Sequence, residues 1–280
     1  DYDQRRMEAL EEEPFFLFVI TDADGNPIRT IKRDIEAGVQ RVVWDYRTSP
    51  VGPISLDSGG DYVPWEEPEL GHMVPPGDYV ATMYRYQNRE LAPVGTPQGF
   101  ECTPLNIASL PAEDLDALQA FNRKVAALAR AISAADAHRG RLEEKLPYLE
   151  RAMLGVGAPE AAWLSDLSAI RVELYEIDEA LNGDRLIVMD EGQPRMSLKG
   201  RTDLIISSLW TTTSAPTGTY ERAYTEARDR FGKVLAALER TDERIRALEH
   251  ELETAGAPYT PGRLPVWRSD EVGTALNGGT

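Results

Sequence analysis

The chain has 280 residues, 42% of them hydrophobic and 28% charged, enough apolar material for two buried cores. Its formal charge is −17, from 47 acidic and 30 basic residues. A surface that negative repels phosphate backbones, so nucleic acid is a poor partner, and it disfavours adsorption to anionic lipid. The longest apolar run, Phe15–Ile20, has strand length and falls far short of the roughly 18 residues a membrane span needs.

Residues 1–13 are polar, end in Glu11-Glu12-Glu13 before Pro14, and read as a linker with at most a helical turn. From 14 to 105 short β segments alternate with turn residues. Phe15–Ile20 is a continuous apolar strand, followed by the turn-rich Asp22-Ala23-Asp24-Gly25-Asn26-Pro27 and a second strand at Ile28–Lys32. Gly38–Asp45 is predicted as a third strand, with Val42 and Trp44 on one face. Residues 48–76 form a long Pro/Gly-rich loop, and Tyr79–Tyr86, Arg89–Val94 and Gly99–Thr103 complete the β pattern. Short strands at this spacing predict an antiparallel β-sandwich.

After Pro104 the period changes to about 3.6 residues. Residues 106–257 predict an antiparallel bundle of long helices near 110–154, 160–182, 199–213 and 219–254. Ser109 is the predicted N-cap of the first, Pro111 lies in its first turn, and Pro147 is expected to kink it. Asn182-Gly183 stops the second helix, and 184–198 reads as irregular. The last helix carries Tyr220, Tyr224, Ala227, Phe231, Val234, Leu238, Ile245, Leu248 and Leu252, interrupted at Thr241 and Asp242. Residues 258–280 are a Pro-rich extended tail. The fold class is thus α+β as separate domains.

Reactive groups are not assembled by any motif. Cys102 is alone, so neither a disulfide within the chain nor a cysteine metal cage follows. Asp22, Asp24 and Asn26 have a superficial calcium-loop look, but Gly25 is the fourth residue of the group, and the reading is a hairpin turn. His72, His138 and His250 are scattered and fit no zinc motif; Gly59-Gly60 is followed by no Lys-Ser/Thr. The acidic runs at 11–13 and 66–69 read as solvated charge. No catalytic, cofactor or metal residue is assigned. Trp44 and Tyr79 read as β core, Trp210 and Phe231 as helical core. Trp65 and Trp267 lie in irregular Pro-rich segments. With His72, Met73 and Tyr259 they are the candidate partner-binding residues, and the 48–76 loop is the candidate surface.

Two ordered sets of residues carry a resemblance. Phe18–Asn26, then Gly38–Asp45 ending in Trp44-Asp45, then Val74-Pro75-Pro76-Gly77-Asp78-Tyr79 resemble Ig-like domains of the flagellar hook-cap type. Ser197–Arg201, Ser208-Leu209-Trp210, Thr213–Thr217 and Ala255–Pro265 resemble the C-terminal region of large bacterial exported proteins with sortilin-like, BNR-repeat β-propellers. The resemblance covers about residues 15–267. No Ser-x-Asp-x-Gly-x-Thr-Trp box and no blade-length repeat is present, so no catalytic residue carries over from the propellers. It implies an Ig-like sandwich, export to the periplasm or beyond, and a structural or accessory role. The chain begins Asp1-Tyr2-Asp3, with neither a starting Met nor an apolar signal region, and reads as a piece of a longer product. The expectation is a non-catalytic scaffold or docking module that binds other protein subunits, needs no cofactor and does not span a membrane. The alternative is an accessory glycan-binding part of a carbohydrate-active propeller protein.

Overall fold

A computed structural model describes residues 1–54, 71–105, 110–157, 160–190, 192 and 195–264. An antiparallel β-sheet comes first and a helical region follows. The compact units do not divide where the sequence period changes. One unit holds Asp1–Ser133 with Lys199–Arg228, and the other holds Ala134–Leu198 with Asp229–Thr280.

In the first unit a short helix, α1 (Tyr2–Ala9), occupies the predicted linker. The strands are β1 (Phe15–Asp22), β2 (Pro27–Asp34), β3 (Gly77–Gln87), β4 (Glu90–Pro93) and β5 (Gln98–Cys102). They form one antiparallel sheet in the order β2-β1-β3-β4, with β5 on the same side of β3 as β4 but at its other end. The turn between β1 and β2 is built by Asp22. Its carboxylate accepts from the Asn26 amide N–H at 2.8 Å and from the Asn26 side chain at 2.9 Å, while Gly25 supplies a φ of 84°. These bonds hold the Asp22 carboxyl below its ordinary range, the Asn26 side chain contributing most. Of the acids in this turn, Asp22 is the one whose side chain builds it.

Cross-strand partners share a face. One face gathers Ile20, Tyr79 and Phe100, and Trp44 and Val74 cover it. A strand at Gly38–Asp45 was expected there and does not form. Val42 and Trp44 do point inward between exposed neighbours, so the alternation is real. The pairing is not: none of residues 38–45 joins a ladder, an isolated bridge follows at Arg47 with Met73, and Tyr46 takes a φ of 59°. Pro50, Pro53, Pro75 and Pro76 lack the N–H groups that a longer ladder would need. Among the described residues, an extended strap stands where a second sheet was expected.

The helices are α2 (Leu115–Leu154), α3 (Ala161–Asn182), α4 (Arg185–Met189), α5 (Leu198–Leu209) and α6 (Gly218–Thr254). α2 starts later than its predicted position near 110. Asp114 is followed by the first turn, and its carboxylate accepts from the Ala117 N–H at 2.8 Å; the predicted cap, Ser109, lies outside the described residues. Pro111 lies before the helix, where the neighbouring Ala112 N–H donates to the Thr213 carbonyl at 2.7 Å. α2 runs on through Pro147 to Leu154. α5 ends before the β-branched run Thr211-Thr212-Thr213, which explains why it stops short of the predicted 213. α4 occupies part of the stretch predicted to be irregular.

In the second unit, α3 buries one stripe: Trp163, Leu167, Ile170, Leu174, Ile177 and Leu181. Parts of α2 and α6 bury Leu142, Leu146, Leu149, Met153, Leu238, Ile245, Leu248 and Leu252. Ion pairs give the helix directions. His138 faces Asp242 and Lys145 faces Glu249, so α2 and α6 run parallel; Glu150 with Arg171 and Arg139 with Asp178 set α3 antiparallel to α2. The polar break at Thr241 does not interrupt α6. Thr241 is buried, with its hydroxyl 3.0 Å from a Glu173 carboxylate oxygen, and Arg244 ties Glu173 to Asp166. Polar residues inside the stripe thus register α6 against α3.

Candidate interaction surfaces

The sequence points to the strap and the tail. Of the 48–76 loop, residues 55–70, including Trp65, lie outside the described residues, as does Trp267 in the tail. The loop's second limb, residues 71–74, turns inward, while Ser49, Pro50, Pro53 and Ile54 of the first limb are exposed. His72 is 7% exposed; its Nδ1 lies 3.2 Å from the Met73 carbonyl oxygen, and its ring meets Trp210 edge to face at 5.8 Å. The Met73 N–H donates to the Trp210 carbonyl at 3.3 Å, and the Gln119 side chain donates to the Met73 carbonyl at 3.1 Å. Arg47 donates through Nη1 to the carbonyls of Gly71 and Trp210, at 3.2 and 3.0 Å.

Within this unit the strap is therefore fastened to the end of α5 and the first half of α2. Val51 reinforces it by packing on the cluster of Val125, Ile205, Leu209 and Trp210. The two limbs of the strap approach so closely that a Cβ on Gly71 would fall 2.2 Å from the Thr48 carbonyl oxygen. Burial pushes His72 below its ordinary pKa, with the neighbouring Arg123 charge acting in the same direction and the Met73 hydrogen bond opposing. Tyr79, which anchors the strap by donating to the Pro75 carbonyl at 2.6 Å, is pushed up to about 12 by burial. Tyr259 belongs to the second unit and is half exposed.

The opposite face of the sheet is open and aromatic. Phe15 and Tyr86 stack with centroids 4.8 Å apart, and Lys32 Nζ lies 4.5 Å from the Phe15 ring centroid. Lys32 comes from β2 and Tyr86 from β3, the strands that flank β1, so both faces of the Phe15 ring are taken.

The most exposed apolar run among the described helices is one the sequence reading missed. α4 follows the Asn182-Gly183 stop of α3, and Asp184 starts it by accepting from the N–H groups of Leu186 and Ile187. None of its residues is buried: Leu186 is 62% exposed, Ile187 41%, Val188 58% and Met189 79%. Ile187 also lines a cleft of about 380 Å³ with Glu176, Glu179, Ala180, Arg195 and Arg230. On the outer side of α3, Val172 and Tyr175 are exposed too.

No family model matches it, and neither does any curated protein or solved structure.

Four consecutive apolar side chains partly held in water on one short helix forgo burial that would stabilise the fold. The signal was present in Leu186-Ile187-Val188-Met189, an apolar run placed directly after a helix stop. The Cys102 thiol, by contrast, is pushed up by burial and is a poor nucleophile. No helix among the described residues is long and apolar enough to cross a membrane.

Proposed function

We propose that this chain is a non-catalytic structural module that docks another protein subunit within a larger extracytoplasmic assembly. The observation that carries the reading is the exposed apolar surface of α4, from Leu186 to Met189. A segment capped by Asp184 and closed by the Gly192 N–H on the Ile187 carbonyl at 2.8 Å has a defined backbone, so its side chains form a prepared surface. On this reading the sheet with its strap is an Ig-like unit, and the helices of the second unit are the bundle that presents α4. The extracytoplasmic setting and the absence of catalytic residues come from the resemblance to the C-terminal region of exported β-propeller proteins.

The glycan-binding alternative would use the open aromatic face of the sheet. Its support is weaker, because a sugar stacks on an unoccupied ring face and the Phe15 ring is held between Tyr86 and Lys32.

The test is the state of the chain in native extracts, measured by size-exclusion chromatography with light scattering. Wild type is expected in a complex larger than itself, and Val188→Ser with Met189→Ser is expected to release it. Recovery of the wild-type chain as a monomer alone would remove the reading.

A further inference from the structure

We infer that the α4 surface takes a cationic amphipathic helix, with apolar anchors on α4 and Lys or Arg side chains against the acidic end of α3. This rests on the docking role proposed above and names the chemistry of its partner.

The apolar half of the argument is the run from Leu186 to Met189 on α4; Val172 and Tyr175 are exposed on α3 as well, Tyr175 at a separate cleft with Arg139 and Leu146. The charged half is the sequence that leads up to α4. From Val172 to Asp184 there are five carboxylates, Glu173, Glu176, Asp178, Glu179 and Asp184, and no Lys or Arg. Three are engaged within the unit: Glu173 by Arg244, Asp178 by Arg139, and Asp184 by the start of α4. Glu176 and Glu179 have no ion pair among the described residues, and both line the cleft with Ile187.

The last turn of α3 also has no basic side chain to oppose the partial negative charge of its carbonyl end. Unpaired carboxylates at that end of a helix are unfavourable by themselves and become favourable when a cation arrives. Arg195 and Arg230 stand at the same cleft, and Arg230 is partly spent, donating to the Met196 carbonyl at 3.2 Å. Carboxylates that face the cleft within reach of Ile187 therefore select a ligand with apolar and positive groups on adjacent faces, which is the pattern of a basic amphipathic helix.

The experiment uses the full chain and three probes: a synthetic Leu/Lys amphipathic helix, a Leu/Glu helix of the same apolar pattern, and phosphatidylcholine vesicles. Calorimetry is expected to show the Leu/Lys helix binding with a Kd of roughly 10 μM, weakened several-fold on going from about 0.05 to about 0.5 M salt. Glu176→Lys with Glu179→Lys should weaken binding about tenfold, and so should Val188→Ser with Met189→Ser. Glu239→Lys with Glu243→Lys makes the same change in net charge on an exposed stretch of α6 and should leave binding within about twofold.

Equal loss in the Glu239/Glu243 variant would reduce the effect to general attraction to a −17 chain and overturn the inference. So would equal binding of the Leu/Glu helix, or no binding of either helix. Vesicle binding abolished by the Val188/Met189 variant would assign the surface to lipid instead. If the chain is found in a native complex while the Leu/Lys helix fails to bind, the partner chemistry is wrong and the docking role stands. A chain that is monomeric in native extracts removes both.

Discussion

If α4 is a surface and not a piece of core, its side chains can be removed at little cost to the fold. Met189 is 79% exposed and Val188 58%, so only the minor, covered fraction of each side chain contributes to stability. Taking about 1.5–3 kcal/mol for full burial of such a residue, Val188→Ser with Met189→Ser should cost at most about 1 kcal/mol. Leu181, near the end of the adjoining helix, is 0% exposed, and Leu181→Ala should cost about 2–5 kcal/mol through lost transfer energy and the cavity left behind. Urea unfolding followed by circular dichroism compares the two, since a loss of that size moves the midpoint by on the order of 1 M or more. A Val188/Met189 variant as unstable as Leu181→Ala would show that α4 is buried, and the docking argument would fail with it.

The strap of the first unit makes further predictions. His72 titrates below its ordinary value of 6.5 because it is buried, so the unfolded chain takes up the proton first. Stability from this group is full above that value and is lost as pH falls through it; the urea midpoint should drop between pH 7.5 and 5.5 by a component absent in His72→Gln. Gly71→Ala would place a Cβ 2.2 Å from the Thr48 carbonyl oxygen and should cost about 1–3 kcal/mol, read from the thermal midpoint. Arg47→Ala removes two charge-assisted hydrogen bonds to carbonyls and should cost about 2 kcal/mol, with faster amide exchange expected at Met73, whose N–H shares the Trp210 carbonyl.

Much of the element order was legible because periodicity is a local signal. The apolar run of β1 and the stripe of α6 could be read from neighbours a few residues apart, and their observed bounds lie close to the predicted ones. Three misreadings have physical causes. Val42 and Trp44 alternate like a strand, but a strand also needs partners for its N–H and C=O groups, which alternation does not reveal. Ser109 and Asp114 both suit a helix start; the carboxylate that accepts the Ala117 N–H sits at the later one. α4 is five residues long, too short to display a helical period. The strap is a different case. Arg47 and Trp210 are 163 residues apart, and nothing local in either segment indicates that they meet. This is why a loop read as an outward-facing surface has His72 buried against Trp210 in its described part.

The central claim is that a protein partner lies against α4. Photo-crosslinking tests it most directly, with p-benzoylphenylalanine placed by Val188→p-benzoylphenylalanine and, as a control on the exposed side of α6, by Arg240→p-benzoylphenylalanine. On irradiation of native extracts, position 188 is predicted to give a discrete adduct larger than the chain, and position 240 none. Adducts of equal yield from both positions, or from neither, would contradict the account.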